Sequence, residues 1–148
     1  MSSSTISYIQ ARGSQDDGAG NGPGGTVTVS SSVISNISTL GGQVTVSTST
    51  IGNINSSGRG GEVGGNVIVS GSSTIGSISA NGGIYDDDSE GGNGGTVTLS
   101  GSSIVSIIYA NGGSGSDVFG GGTGGTVTLN SSSTLNTVSY THLRAHET

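Results

Sequence analysis

The sequence predicts an all-β fold: a right-handed parallel β-helix of about five turns, with glycine-rich loops emerging along one edge. Three observations predict it. A six-residue motif recurs five times, as GGTVTV at 24–29, GGQVTV at 41–46, GGNVIV at 64–69 and GGTVTL at both 94–99 and 124–129. Each copy is followed by a second apolar pair spaced by three residues, as in Ile34 and Ile37 or Ile75 and Ile78. Glycine makes up 31 of 148 residues while aromatics are 3%, which suits a thin, repetitive core of β-branched side chains and not one thick core.

Taken in order, Ile6 and Ile9 with Ala11 supply the second apolar pair of a first, incomplete unit. In the next unit Val27 and Val29 alternate with Thr26 and Thr28, so the valines face the axis and the threonines face solvent. Ile34 and Ile37 can both face the axis only if a bend or bulge lies between them. Val44 and Val46 then pair with Ile51 and Ile54, and Val67 and Val69 with Ile75 and Ile78. Val97 and Leu99 go with Val105 and Ile108, and Val127 and Leu129 with Leu135 and Val138. Residues 64–93 and 94–123 align without a gap at a period of 30, whereas Val27 to Val44 is 17 residues and Val44 to Val67 is 23. A fixed apolar pattern with variable length fits a coil that makes one turn per unit and extrudes the excess. Gly71 and Gly101 mark a first corner, and each Gly-Gly marks the last, where glycine suits a tight turn. The excess falls mainly at 13–25, 38–42, 55–65, 82–95 and 112–125, so these loops should emerge along one edge, and those of about a dozen residues should be mobile.

Charge narrows the function classes. Lysine is absent, and Arg12, Arg59 and Arg144 stand against six Asp and three Glu, for a formal net charge of -6. Without a basic footprint, nucleic acid and anionic membrane surfaces are not expected partners. No run of about 20 apolar residues would carry the segment into a membrane. The chain contains no cysteine, so disulfides and thiolate sites are excluded. Met1 is followed by polar Ser2 to Thr5, without the basic and apolar regions of a signal peptide.

Residues 138–148, VSYTHLRAHET, break the composition: they hold both histidines, an Arg and a Glu, and no glycine. The run resembles the translated end of a sequencing-library adapter, of the kind found at the ends of reading frames assembled from environmental DNA. Residues 1–137 are accordingly taken as one solenoid domain of a longer protein, and 138–148 as a non-native tail, with the junction uncertain by a residue or two. His142 and His146 have the spacing of a helical metal pair, but they are set aside with the tail.

The remaining chemistry-bearing residues cluster in the loops. Asp86, Asp87, Asp88 and Glu90 lie in one loop, Asp117 in the next, and Asp16 and Asp17 in the first. Clustered carboxylates suit a hard cation such as calcium; solvated loops are the plainer reading. Residues 112–120, GGSGSDVFG, resemble the calcium-binding nonapeptide of secreted repeat-in-toxin proteins, although no second copy stands beside them. Catalysis finds no support: no other cofactor is implied, and the outward strand positions carry Thr, Gln, Asn and Ile. A carbohydrate-active β-helix enzyme would need carboxylates across a cleft there. The Thr-x-Thr pairs Thr26 and Thr28, Thr96 and Thr98, and Thr126 and Thr128 resemble the rows of ice-binding β-solenoids, interrupted at Gln43, Asn66 and Ile68.

In its repeats and its Gly, Ser, Thr and Asn content, the stretch 2–137 resembles the β-helical stalks of bacterial surface proteins of the adhesin and autotransporter-passenger type. That resemblance implies an extracellular or cell-surface structural or adhesive segment without catalysis. It implies contacts with host-cell, matrix or polysaccharide surfaces made by outer strand faces and loops, and neighbouring solenoid turns in the parent chain.

Overall fold

The two apolar pairs of each unit become two strands on opposite sides of a thin core. The computed structural model describes residues 5–13, 24–84, 90–115, 120–130 and 132–139. The strands are β1 (Thr5–Gln10), β2 (Val27–Ser30), β3 (Val33–Ser38), β4 (Val44–Ser47), β5 (Thr50–Asn55), β6 (Asn66–Ser70), β7 (Thr74–Ser79), β8 (Thr96–Leu99), β9 (Ile104–Tyr109), β10 (Thr126–Leu129) and β11 (Thr134–Ser139). Odd-numbered strands build one six-stranded sheet in the order β1-β3-β5-β7-β9-β11, and even-numbered strands build a five-stranded sheet in the order β10-β8-β6-β4-β2. Every pairing is parallel and joins strands one turn apart, the connectivity of a parallel β-helix.

Register converts the sequence repeat into columns. Val27, Val44, Val67, Val97 and Val127 stack in one, and Val29, Val46, Val69, Leu99 and Leu129 in the next. On the facing sheet Ile6, Ile34, Ile51, Ile75, Val105 and Leu135 form a column, as do Ile9, Ile37, Ile54, Ile78, Ile108 and Val138. The interior members are sealed: Val44, Val67, Ile75, Ile78 and Ile108 are all 0% exposed. At the ends the same columns open, with Ile6 38% and Leu129 46% exposed, because each lacks a turn on one side. The bend expected between the two members of the isoleucine pair is present in every strand of the larger sheet. The pairing skips Ser7, Ser35, Gly52, Gly76, Ser106 and Asn136, so residues three apart both turn inward.

One corner joins each Val strand to the following Ile strand and is built on serine. Ser31, Thr48, Gly71 and Gly101 hold the left-handed conformation there, with φ of 48°, 47°, 65° and 67°. The glycines marked this corner correctly, but two turns make it with a residue that carries a side chain, at some steric cost. Just inside it runs a column of Ser32, Ser49, Ser73, Ser103 and Ser133, of which Ser73 and Ser103 are fully buried. Each hydroxyl closes its own corner: Ser49 Oγ donates to Ser47 O at 2.7 Å, Ser73 Oγ to Ser70 O at 2.7 Å and Ser103 Oγ to Ser100 O at 2.6 Å. Ser49 Oγ and Ser73 Oγ also accept the backbone N–H of Ser32 and of Ser49, at 3.1 and 3.2 Å. Buried polar groups are thereby satisfied one turn to the next.

The other edge carries the loops; Gly41, the first glycine of its motif, has the left-handed φ of 75° that a tight turn calls for, but the second glycines act for a different reason. The second glycine of each motif stacks in a column, Gly25, Gly42, Gly65, Gly95 and Gly125, and none of these has a positive φ. A Cβ on Gly65, Gly95 or Gly125 would lie well inside contact distance of the carbonyl oxygen of the preceding member. Close backbone approach, not a special dihedral, demands glycine there. The loop bases are also tied. Gly65 N donates to Ser56 O at 2.6 Å, Gly95 N to Ala80 O at 2.6 Å and Gly125 N to Ala110 O at 2.7 Å. Beyond these, a zigzag ladder of backbone bonds runs along the axis. Gly83 N donates to Glu62 O, Gly92 N to Gly83 O, Gly113 N to Gly92 O and Gly122 N to Gly113 O, each at 2.8 to 2.9 Å. The described loop bases form a third hydrogen-bonded layer beside the two sheets; residues 14–23, 85–89 and 116–119 of the loops expected to be mobile lie outside the described residues.

Candidate functional site

With the interior given over to packing, the surfaces able to meet a partner are the two outer sheet faces and the loop edge. Among the described residues no strand carries Asp, Glu, Lys or Arg. The described charged residues, Arg12, Arg59, Glu62 and Glu90, all lie off the strands, on the loop edge. Both faces are therefore neutral, and any partner meets hydroxyls, amides and a few apolar groups.

The faces differ in chemistry. On the five-stranded sheet the outward rows are Thr28, Thr45, Ile68, Thr98 and Thr128, beside Asn66, Thr96 and Thr126. Ser30, Ser47 and Ser70 continue the outward pattern on the far side of the first row. Rows repeat at the strand spacing of about 4.8 Å and lie about 6.6 Å apart along a strand. The threonine rows are in register across the sheet, and Ile68 is the one apolar interruption in the central row. Among the described residues the hydroxyls of Thr28, Thr45, Thr98 and Thr128 make no bond to another protein group. On the six-stranded sheet the polar side chains instead bond to one another across strands. Asn53 Nδ2 donates to Asn36 Oδ1 at 3.0 Å, and Ser77 Oγ donates to Asn53 Oδ1 at 2.7 Å. The same face carries exposed Val33, Ile104 and Tyr109.

The loop edge holds the residues singled out for calcium. Glu90 is exposed at the foot of its loop. Asp86, Asp87, Asp88 and Asp117 lie outside the described residues, as do residues 116–119 of the nonapeptide-like stretch. Among the described residues no three His, Cys, Asp or Glu side chains gather around a common point. A shallow depression of about 390 Å³ sits between loops, lined by Gly41, Gly61, Glu62, Val63 and the 64–66 segment, with one carboxylate and no opposing charge. At the C-terminal end β11 includes Val138 and Ser139, with Val138 paired to Ile108, so the strand runs two residues into the stretch set apart by composition.

Two features have no single-residue signal in the sequence. The buried corner serines read as ordinary loop serines until register places them in one column. The lateral Asn36, Asn53 and Ser77 ladder likewise emerges only when units of unequal length are stacked. No protein family, no curated protein and no solved structure matches the chain.

Proposed function

We propose that the chain is a segment of an extracellular, cell-surface structural or adhesive protein, a non-catalytic rod that makes contacts through its outer strand faces and loop edge. The observation that carries this reading is the pair of neutral, continuously stacked strand faces, with the charge of the described residues confined to the loop edge. Such faces suit broad contact with host-cell, matrix or polysaccharide surfaces, where many weak polar contacts add up, and give little purchase to bond-breaking chemistry. The opened core columns at Ile6 and Leu129 support a rod that stacks on neighbouring turns.

Two experiments test it. Duplicating residues 94–123 adds one whole turn, and a rod should accept it, lengthening without loss of its β-sheet circular dichroism; an unfolded product counts against the structural role. Beads carrying the folded chain should be retained on at least one matrix or polysaccharide surface, and absence of retention on all of them counts against adhesion.

A specific observation favours a second reading, ice binding by the five-stranded sheet: its threonine rows are in register and their hydroxyls are unused by the protein. The folded chain should then slow ice recrystallisation, Thr98→Lys should abolish the effect, and Thr74→Lys on the opposite face should not. No effect from the folded wild-type chain removes this reading and leaves the first intact.

A further inference from the structure

The outer face of the six-stranded sheet is symmetric about its own middle. One row across the strands runs Thr5, Val33, Thr50, Thr74, Ile104, Thr134, in register and exposed throughout. Outward from the midline between β5 and β7 it is threonine, a β-branched apolar residue and threonine in both directions. The adjoining row, at the bend, does the same: Gly52 and Gly76 straddle the midline, with Ser35 and Ser106 next on either side, all four exposed. A translational repeat gives every strand the same residue; Val33 and Ile104 depart from it at mirrored places. They are 41% and 46% exposed. They stand on β3 and β9, about 14 Å apart at the usual strand spacing.

A face with this symmetry fits a copy of itself. A two-fold axis parallel to the strands, above the midline, lays β5 over the partner's β7 and β3 over the partner's β9, and keeps each row in line. Val33 then meets the partner's Ile104, and Ile104 meets the partner's Val33, the reciprocal contact of an isologous interface. Gly52 and Gly76 put no side chain in the centre of the contact. Ile107 and Tyr109, the latter 37% exposed, extend the apolar strip along β9 and so over the partner's β3.

Charge agrees with this arrangement. The strands of the face carry no charge, so none is buried by the contact. The loop after β5 holds Arg59 and Glu62, and it falls beside the partner's loop after β7, whose sequence includes Asp86, Asp87, Asp88 and Glu90. The most acidic loop is set beside a loop with an arginine and not beside its own copy. Six strands at the usual spacing offer roughly 500–600 Å² per copy, or just over 1,000 Å² in total, near the lower limit for a specific interface.

We propose that the six-stranded face is a self-association surface, on which two copies of this chain pair face to face with their long axes antiparallel, as a weak and reversible dimer. The five-stranded face stays open, so this inference stands apart from the adhesive reading.

The test is sedimentation equilibrium of the full chain over micromolar to millimolar concentrations, which should show a monomer–dimer equilibrium. Ile104→Lys and Val33→Glu alter outward side chains, and circular dichroism should show both folded. Each should raise the dimer dissociation constant about tenfold or more, because it sets an unpaired charge against an apolar residue at two places. Mixed in equal amounts, the two variants should associate with each other more tightly than either does with itself. The mixed dimer brings the new lysine to the new glutamate at one place and keeps Ile104 on Val33 at the other. Ser102→Lys, at an exposed corner, should associate like the wild type. Equal weakening by Ser102→Lys, or a mixture no tighter than its components, overturns the assignment. A chain that stays monomeric overturns it too, and if Ile104→Lys then also loses retention on matrix or polysaccharide beads, the face belongs to that partner.

Discussion

The two sides of each turn solve the same problem, reversing the chain, with opposite materials. The serine corner spans two to four residues between strands, as at 48–49, 71–73 or 100–103, and fills its interior with hydroxyls that bond to the corner's own carbonyls. The glycine edge runs from the five residues 39–43 to the long loops at 80–95 and 110–125, and its base is held mainly by backbone bonds between turns, joined by a few side chains such as Thr39 Oγ1, which donates to Ser56 Oγ at 3.0 Å. Where length varies by only a residue or two, one side-chain column can serve every corner; where it varies by many, the element common to all turns is the backbone.

The sharpest way to break this contrast is a side chain placed in the glycine column. Gly95→Val would drive its Cβ into the Gly65 carbonyl, with backbone on every side and no flexible neighbour to give way. Backbone would have to part between turns, a loss of about 4 kcal/mol or more, seen as collapse of the β-sheet signal on mild heating. Gly120→Ala, on the same edge but with nothing within 4 Å of the added methyl, should melt like the wild type. Equal stability of the two variants would show that the column is not close-packed.

Next in size comes the core shared by both sides. Ile78 is 0% exposed in the middle of its column. Ile78→Ala should cost about 2–5 kcal/mol, read from denaturant midpoints, because rigid turns above and below limit collapse into the cavity. Ser73→Ala strikes the corner itself. It removes the acceptor of the Ser49 N–H and the donor to Ser70 O in a fully buried place. The expected loss is about 1–3 kcal/mol, against almost none for exposed Ser102→Ala.

These sites also show what the sequence disclosed and what it withheld. The core columns were legible because Val27, Val44, Val67, Val97 and Val127 repeat whatever the length between them, and apolar alternation is set by the strand pleat. The inward turn at Ile34 and Ile37 was legible for the same reason, their spacing being incompatible with an unbent strand. The role of Gly65 and Gly95 was not, since glycine looks alike whether φ or crowding selects it. Ser73 was not, because a serine next to glycine has the composition of any exposed turn. The outward rows could be anticipated strand by strand, but which face keeps its hydroxyls free depends on lateral bonds such as Ser77 to Asn53, and these need the register between units of unequal length. The carboxylates Asp86 to Asp88 belong to the part of the unit where the repeat carries no register information.

The smallest effect should come from lengthening the chain where the fold already varies. Ten Gly and Ser residues inserted between Ile84 and Glu90 would fall beyond the bonds Gly92 N to Gly83 O and Gly95 N to Ala80 O, which close the loop beneath them. Because the closure cost grows only with the logarithm of loop length, about 0.6 kcal/mol for each doubling, the melting curve should barely move. The same insert between Ser72 and Ser73 would pull Ser73 from its column, strand the Ser49 N–H, and separate two strands joined by a three-residue corner. That variant should lose the solenoid on at least one side of the break. If both inserts are tolerated equally, length tolerance is a property of the whole coil and not of the glycine edge.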